Sequence, residues 1–327
     1  MAKITILGSG GWGMALAITA NDSGHEVTLW SPFKQEVELL NEKRCNDRLL
    51  EGVVLPKNIM ITDDLSCVEG SLLTIIATPS TAVRCVARQL NAQKNFGIVV
   101  NVSKGFEKDT LKRLSVVLKE ELPFSPIAVL SGPSHAEEVA KRIPTSLVVA
   151  SYSMSAPAII QDLLSNEFLR IYTSDDIIGV ELCGAIKNVI AICAGACDGL
   201  GLGDNTKAAL ITRGLSEMAR LGIAMGANER TFAGLAGVGD LVVTCPSKHS
   251  RNNRFGFKVG RGEDIDVALE QVGTVEGYHA ALMTHGLSQK YGLELPIIDT
   301  CYSVLYEGKT VSNVIRELML RPRGAEN

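Results

Sequence analysis

The first half of the chain alternates short apolar runs with segments of helical periodicity. Near-continuous apolar runs predict buried strands, and amphipathic stretches between them predict helices. The predicted strands are Lys3–Leu7, Glu26–Trp30, Leu72–Ala77, Ile98–Ser103, Ile127–Ser131, Leu147–Ala150 and Phe168–Thr173. The predicted helices are Trp12–Asp22, Lys34–Lys43, Thr81–Leu90 and Thr110–Glu120. This alternation predicts an α/β fold with a doubly wound parallel sheet that helices cover on both faces.

The pattern changes near Ser174, after which apolar positions recur with helical spacing only. The predicted helices here are Val180–Ala196, Thr206–Leu221, Asp266–Gln271, Thr274–Tyr291, Pro296–Tyr306 and Val311–Leu320. We therefore predict two domains, an α/β domain over residues 1–174 and an all-helical domain over residues 175–327. The total length of 327 residues agrees with this division at roughly 150 residues per domain.

Composition and charge narrow the class of protein. Apolar residues make up 46 % of the chain and charged residues 21 %, as in a globular protein with a sizeable core. The net charge of −4 argues against a dedicated nucleic-acid binder, which carries a basic excess. The apolar run that starts the chain ends at Gly8, too short for a signal peptide. No apolar run reaches the ~18 residues of a membrane span.

Cysteine and histidine usage indicates the compartment and the absence of a metal. The eight cysteines contain no CxxC pair, and several lie in apolar runs, which favours reduced thiols in a cytoplasmic protein. The five histidines show neither HExxH nor zinc-finger spacing. The sequence therefore predicts a cytoplasmic protein with no metal site.

A glycine-rich loop follows the first predicted strand. The residues GSGGWG, from Gly8 to Gly13, fit the pattern GxGxxG and open a helix with an apolar face. In that context Gly8 permits the turn, Gly10 lets the backbone approach a pyrophosphate, and Gly13 lets the helix pack on the strand. Gly11 and Trp12 begin the helix, whose free N–H groups attract phosphate. The alternative is a glycine-rich turn without a ligand, but the context predicts a Rossmann-like dinucleotide-binding domain.

The end of the second strand bears on the cofactor. NAD-specific folds usually place Asp or Glu there, to bind the ribose 2′-hydroxyl. Here Trp30 is followed by Ser31-Pro32-Phe33-Lys34, and Glu36 is expected to lie in the next helix. Because Lys34 would attract a 2′-phosphate, the sequence favours NADPH, or dual use of NADP(H) and NAD(H), over strict use of NAD. The alternative is that Lys34 is a solvated surface charge.

Ligands of open α/β sheets bind beyond the carboxyl ends of the strands. Lys104, which follows the strand ending at Ser103, is the charged residue placed to face such a ligand. The segment Ser131–Ser134 follows another strand. The alternative reading of Lys104 is a solvated loop lysine.

Lys187 lies in a predicted helix of apolar and small residues and therefore reads as buried. A buried lysine needs a partner or a lowered pKa, and both conditions suit a proton-transfer group. Asn188 adds a second polar group, whereas a lysine that extends to the surface is the alternative. Asp240, alone between glycines and an apolar run, is a candidate partner for the ammonium.

The segment from Ser250 to Arg254 resembles an anion-binding loop, in which Arg251 would bind a phosphate with two hydrogen bonds. The alternative interpretations are that Asp240 only caps a helix and that the arginines of this segment are solvated surface charges. The mild net charge of the whole chain would then conceal a basic pocket formed by Lys104, Lys187 and Arg251.

Taken together, these segments resemble the NAD(P)-dependent glycerol-3-phosphate dehydrogenases of the bacterial type. The matching stretches occur in the family's order over nearly the whole chain: ILGSGGWGMALA, SKGFE, SGPSHAEE, GVELCGAIKNVIAICAGACDGLGLGDN, ALITRGLSEM, AGVGDLVVTC, SRNNRFG and VEGYHAA. Gly11 stands where the family often has Ser, and Pro32-Phe33 where it often has polar or basic residues. The resemblance implies a Rossmann-like N-terminal domain, a helical substrate-binding and catalytic domain, and a homodimer.

The resemblance also implies roles for individual residues. Lys187 resembles the family's catalytic lysine, with Lys104 and Asp240 as further catalytic groups. With the residues already argued from the sequence, the predicted substrate residues are Lys104, Gly132, Ser134, Lys187, Asn188, Asp240, Thr244, Ser250, Arg251 and Asn252. The predicted cofactor residues are Gly8, Gly10, Gly11, Trp12, Gly13, Lys34, Lys104, Ala136, Arg251 and Glu276.

The activity implied is reversible reduction of dihydroxyacetone phosphate to sn-glycerol 3-phosphate by NAD(P)H, which supplies glycerophospholipid synthesis. Two alternatives stay open. One is a β-hydroxyacid or ketopantoate reductase, which would use a buried lysine but bind a carboxylate. The other is a redox-sensing module that binds dinucleotide without turnover.

Overall fold

The computed structural model describes residues 1–322 and residue 325. Within them, eight strands form one sheet in the order β3-β2-β1-β4-β5-β6-β7-β8. The strands are β1 (Lys3–Leu7), β2 (Glu26–Trp30), β3 (Met60–Thr62), β4 (Leu73–Ile76), β5 (Ile98–Asn101), β6 (Ile127–Ser131), β7 (Thr145–Ser151) and β8 (Leu169–Ser174). The prediction of an α/β fold with a doubly wound sheet is confirmed.

The direction of one strand differs from the prediction. Strands β1 to β6 run parallel, but β7 is antiparallel to β6, and β8 is parallel to β7. The segment that connects β6 to β7 carries only the five-residue helix Ala136–Ala140. A parallel return needs a longer crossover. The expectation of a wholly parallel sheet was therefore wrong at β7.

Helices cover both faces of the sheet, as predicted. They are α1 (Gly11–Asp22), α2 (Lys34–Lys43), α3 (Val83–Asn91), α4 (Leu114–Glu121), α5 (Ala136–Ala140) and α6 (Ala156–Leu164). Consecutive residues of a strand belong to two different apolar cores: Ile75 of β4 packs with α1 and α6, and Ile76 packs with α3 and α4. Burial on both faces explains why these strands read as continuous apolar runs.

The second half of the described chain is helical. Its helices are α7 (Ile177–Gly199), α8 (Asp204–Ala224), α9 (Glu229–Phe232), α10 (Asp240–Thr244), α11 (Arg251–Gly260), α12 (Ile265–Val272), α13 (Glu276–Tyr291), α14 (Pro296–Tyr306) and α15 (Val311–Met319). The chain forms two compact units, Met1–Glu181 with Gly234–Ala236, and Leu182–Ala233 with Gly237–Asn327. The division falls inside the continuous helix α7, so the functional boundary at residue 174 stays a prediction.

Helix α7 is the one described helix long and apolar enough to span a membrane. However, 89 % of its most apolar stretch is buried inside the protein, which is the pattern of a core helix. Two polar residues, Lys187 and Asn188, lie within this apolar helix, and both are buried.

Glycines let the backbones of α7 and α11 approach closely. A Cβ on Gly256 would lie 1.9 Å from the carbonyl oxygen of Ile192, and a Cβ on Gly195 would lie 2.0 Å from that of Asn253. No side chain fits at either position, since real Cβ atoms do not come so near to a backbone oxygen. This packing places Ser250 and Asn252, at the start of α11, alongside the helix that carries Lys187.

Glu217 of α8 is a buried acid away from the candidate site. Its carboxylate accepts hydrogen bonds from the backbone N–H groups of Ile297, at 2.8 Å, and Ile298, at 3.1 Å, in the first turn of α14. Burial raises the pKa of Glu217 to about 7, although these bonds and the charge of Arg220 act to lower it. Asp299 raises the pKa further.

We expect the protein to lose stability as pH rises through the range between 4.5, the ordinary pKa of a glutamate, and about 7. In this range the folded state holds the Glu217 proton more tightly than the unfolded state, so the free energy of unfolding falls with pH, by up to about 3 kcal/mol. Urea unfolding of wild type and Glu217→Gln between pH 4 and 8 checks this. The variant should lose that part of the slope, the exposed control Glu270→Gln should keep it, and an unchanged slope in Glu217→Gln would contradict the expectation.

Candidate active site

The glycine loop has the geometry expected of a phosphate-binding turn. Gly8 adopts a φ of +122°, which favours glycine. A Cβ on Gly13 would lie 1.9 Å from the Gly8 carbonyl oxygen, so only glycine lets α1 start this close to the turn. A Cβ on Gly10, in contrast, would meet nothing within 4 Å, so this backbone faces open space. The first N–H groups of α1, from Gly11 onward, have no acceptor within the helix.

Two buried hydroxyls at the carboxyl ends of β4 and β6, which flank β5 in the sheet, support a ligand site. Thr78 Oγ1, beyond β4, and Ser131 Oγ, at the end of β6, are buried and make no hydrogen bond to the described residues. Buried hydroxyls are normally paired, so such atoms point to a ligand or water at the strand ends. Together with the open backbone at Gly10, they fit a bound dinucleotide.

Lys104 lies beside the loop that follows β6. Its Nζ donates to the carbonyl oxygen of Gly132 at 3.4 Å, and Ser134 Oγ donates to the same oxygen at 2.8 Å. Lys104 is half-buried, and Ala136 begins α5. The structure therefore brings together three of the predicted residues, Lys104, Gly132 and Ser134, within the first unit.

Lys187, Asp240 and Thr244 form a buried polar cluster in the second unit. Lys187 Nζ donates to Asp240 Oδ1 and, at 2.8 Å, to Thr244 Oγ1. Thr244 Oγ1 in turn donates to Asp240 Oδ1 at 3.2 Å. Lys187 is 6 % exposed and Asp240 is 0 % exposed. This is the ion pair that the sequence predicted, and Lys187 does not extend to the surface.

The two charges of this cluster act in opposite directions on the neighbouring thiol of Cys245. Burial raises the pKa of Cys245 to about 12, while the ammonium of Lys187 lowers it and the carboxylate of Asp240 raises it.

Asp240 follows a π-helical turn, Leu235–Gly239, and begins α10. Single π-helical turns of this kind are frequent at functional sites.

Asn188 links three helices next to Lys187. Its Oδ1 accepts from Asn252 Nδ2 of α11 at 3.0 Å, and Asn252 Oδ1 accepts from the backbone N–H of Gly277 of α13 at 2.9 Å. Asn188 Nδ2 donates to Glu276 Oε2 at 3.5 Å. Asn188, Asn252 and Glu276, all implied by the family resemblance, therefore share one hydrogen-bonded network.

The segment from Ser250 to Arg254 is not a loop, and that expectation was wrong. Ser250 caps α11, its Oγ accepting from the N–H of Asn253 at 3.2 Å, and Arg251 is the first, exposed residue of the helix. Serine is a preferred N-cap, which a search for helix starts could have found. A helix N-terminus still favours anions, so the phosphate hypothesis keeps a physical basis.

Two further residues were missed by the sequence reasoning. Asn253 Nδ2 donates to the carbonyl oxygen of Cys245 at 2.6 Å, tying α11 to the end of the segment that carries Thr244. Glu36 was assigned to α2, which is correct, but its carboxylate returns to the glycine loop, where it accepts from Ser9 Oγ. The sequence alone does not predict this contact between Glu36 and the glycine loop, because it depends on the conformation of the turn between β2 and α2.

Comparison with known proteins identifies the family. Residues 3–156 match the model of the NAD-dependent glycerol-3-phosphate dehydrogenase N-terminus, and residues 176–316 match that of the C-terminus. The chain belongs to the NAD-dependent glycerol-3-phosphate dehydrogenase family. The resemblance seen in the sequence is confirmed, as is the expectation of a nicotinamide dinucleotide cofactor.

Individual relatives are similar to this chain over 98 % or more of its length. The chain is 49 % identical to "Glycerol-3-phosphate dehydrogenase [NAD(P)+]" of Desulfitobacterium hafniense over 328 residues, which cover 100 % of this chain and 93 % of that protein. It is 47 % identical to the protein of the same name from Fusobacterium nucleatum, covering 100 % and 99 %. The crystal structure of glycerol-3-phosphate dehydrogenase from Coxiella burnetii superposes with a TM-score of 0.94 at 37 % identity, covering 98 % and 99 %.

Proposed function

We propose that this chain catalyses the reversible reduction of dihydroxyacetone phosphate to sn-glycerol 3-phosphate with NAD(P)H. The observation that carries the proposal is the buried cluster of Lys187, Asp240 and Thr244, in a chain that belongs to the NAD-dependent glycerol-3-phosphate dehydrogenase family. The family match favours a phosphorylated substrate over the carboxylates of β-hydroxyacid and ketopantoate reductases. A buried, oriented ammonium favours turnover over a module that only senses the dinucleotide.

Lys187 is the proton donor of this mechanism. When bound, the nicotinamide cofactor supplies a hydride to C2 of the substrate. Negative charge then develops on the C2 oxygen, and the Lys187 ammonium stabilises it and gives it a proton. Asp240 and Thr244 hold Nζ in one orientation, so little reorganisation is needed during the reaction. In the reverse direction the neutral amine of Lys187 accepts the proton.

The remaining residues bind and orient ligands. Lys104 takes part as a ligand-binding and electrostatically assisting lysine, which its position beside Gly132 and Ser134 at the strand ends supports. Arg251 and Ser250, at the N-terminus of α11, bind the substrate phosphate, with Asn252 beside them. Asn188 is positioned by Asn252 and Glu276 and orients the substrate next to Lys187.

The test is consumption of NADH and NADPH, followed in parallel by absorbance, with dihydroxyacetone phosphate as substrate. We expect turnover of this substrate and little turnover of glyceraldehyde, which lacks the phosphate. Equal turnover of both compounds would contradict the phosphate role.

Arg251→Ala should raise KM for dihydroxyacetone phosphate about tenfold or more, because a charge-assisted contact is lost, with a smaller effect on kcat. Arg261→Ala, at the other end of α11, is the matched control and should leave KM unchanged. A rise in KM for the dinucleotide instead would assign Arg251 to the cofactor, which the family resemblance also allows.

The family resemblance further supports a homodimer in the cytoplasm that supplies glycerol 3-phosphate for glycerophospholipid synthesis. These three statements are part of the proposal.

A further inference from the structure

A carboxylate lies where the glycine loop meets the end of β2. Glu36 Oε2 accepts hydrogen bonds from Ser9 Oγ, at 2.5 Å, and from Ser31 Oγ, at 2.6 Å. Ser9 is the second residue of the loop GSGGWG, and Ser31 follows the last residue of β2. The backbone N–H of Phe33 also donates to Ser31 Oγ, at 3.4 Å, which fixes the turn into α2. The Glu36 carboxylate is therefore held between the glycine loop and the residue that follows β2.

Lys34 is exposed and begins α2, two residues before Glu36. Side chains two positions apart on a helix point in different directions, so Lys34 and Glu36 do not share a face. The position beside the loop therefore presents a half-buried acid held by two serine hydroxyls, and Lys34 does not face this acid along the helix.

In dinucleotide-binding folds an acid at this position binds the ribose 2′-hydroxyl, whereas a 2′-phosphate needs a cation. We propose that Glu36 selects the coenzyme: it accepts a hydrogen bond from the 2′-hydroxyl of NAD(H) and repels the 2′-phosphate of NADP(H). Ser9 and Ser31 are positioning residues that hold the carboxylate. This inference rests on the proposed dinucleotide-dependent activity, and it replaces the preference for NADPH that Lys34 suggested in the sequence.

The proposal is tested by binding to the full chain without substrate. Dissociation constants for NADH and NADPH are measured by calorimetry, as are those for 5′-AMP and adenosine 2′,5′-bisphosphate, which isolate the ribose site. Because the carboxylate and a 2′-phosphate repel each other, wild type should bind NADH and 5′-AMP at least about tenfold more tightly than their 2′-phosphorylated counterparts. The comparison on wild type needs no variant to fold.

Glu36→Gln removes the charge and keeps the shape of the side chain. The ratio of the NADPH to the NADH dissociation constant should fall about tenfold or more, mainly through tighter binding of NADPH. Glu38→Gln makes the same charge change at an exposed position of α2 and should leave the ratio unchanged. Thermal unfolding of both variants confirms that they are folded.

Tighter binding of NADPH than of NADH by wild type, or an equal shift in Glu36→Gln and Glu38→Gln, would overturn the proposal. Because binding is measured without substrate, it separates this inference from the proposed reaction. Selective binding of NADH without turnover of dihydroxyacetone phosphate would overturn the reaction alone, and turnover with a preference for NADPH would overturn the role of Glu36 alone. Failure to bind any dinucleotide would overturn both.

Discussion

Replacing Lys187 by alanine should lower kcat for dihydroxyacetone phosphate by about 10²–10⁴-fold, the usual contribution of a positioned proton donor. The dissociation constant for NADH should stay near that of wild type, because the glycine loop lies on the other compact unit. Steady-state kinetics and a calorimetric titration of the same preparation check both statements. Lys290→Ala, which removes an exposed ammonium from the second unit, is the control and should leave kcat unchanged.

The alanine variant has a structural cost that the experiment must separate from chemistry. Asp240 is fully buried, and removing its cation leaves a buried charge without compensation, at about 3–5 kcal/mol. Lys187→Arg is therefore the sharper variant. It keeps a cation beside Asp240, but a guanidinium does not give up its proton at neutral pH. We expect Lys187→Arg to fold with a Tm close to wild type and still to lose most of kcat.

Near-normal turnover by Lys187→Arg would contradict proton donation and leave only an electrostatic role. Near-normal turnover by Lys187→Ala would contradict both roles. A shift in the pH profile of kcat is a further readout, since a merely structural lysine would not move it.

The parts of the fold that were predictable are those that local pattern determines. Strands β1 and β2 and helix α2 have the predicted bounds, because buried parallel strands give continuous apolar runs and Lys34–Lys43 has a clear polar face. The three-residue strand β3 (Met60–Thr62) was missed, since so short a run carries no periodicity. The predicted direction of β7 was wrong, because a strand that is buried on both faces shows the same hydrophobic pattern whether it runs parallel or antiparallel to its neighbour.

The residues of the candidate site likewise divide into those that a local sequence pattern identified and those that it did not. Lys187 was identifiable because an ammonium in an apolar helix is costly and must have a partner, and Asp240 was the isolated acid that suited it. Glu36 was missed because its position depends on the turn at Pro32-Phe33. Helix α11 was missed because the segment from Ser250 to Arg254 was interpreted as an anion-binding loop, although the N-cap Ser250 is a local signal for a helix start. Contacts made across turns or between helices leave no local signal in a single sequence.

The close packing of α7 and α11 at their glycines is one such contact between helices, and it should contribute to the stability of the protein. In an ordinary helix, glycine to alanine stabilises the helix by about 1 kcal/mol. At Gly256 a Cβ would lie 1.9 Å from the Ile192 carbonyl oxygen, and that oxygen belongs to the backbone of α7 and cannot rotate away. The two helices must therefore move apart, and the apolar contacts between them are weakened.

Gly256→Ala should thus destabilise the protein by about 3 kcal/mol, the upper part of the range for overpacked positions, and lower Tm by about 5–10 °C. Gly203→Ala is the matched control: a Cβ there would meet nothing within 4 Å, so its effect should not exceed about 1 kcal/mol. Calorimetric unfolding of the two variants beside wild type measures the difference. Because helix propensity alone predicts the opposite sign, a Tm of Gly256→Ala equal to or above that of wild type would show that α7 and α11 do not pack backbone to backbone.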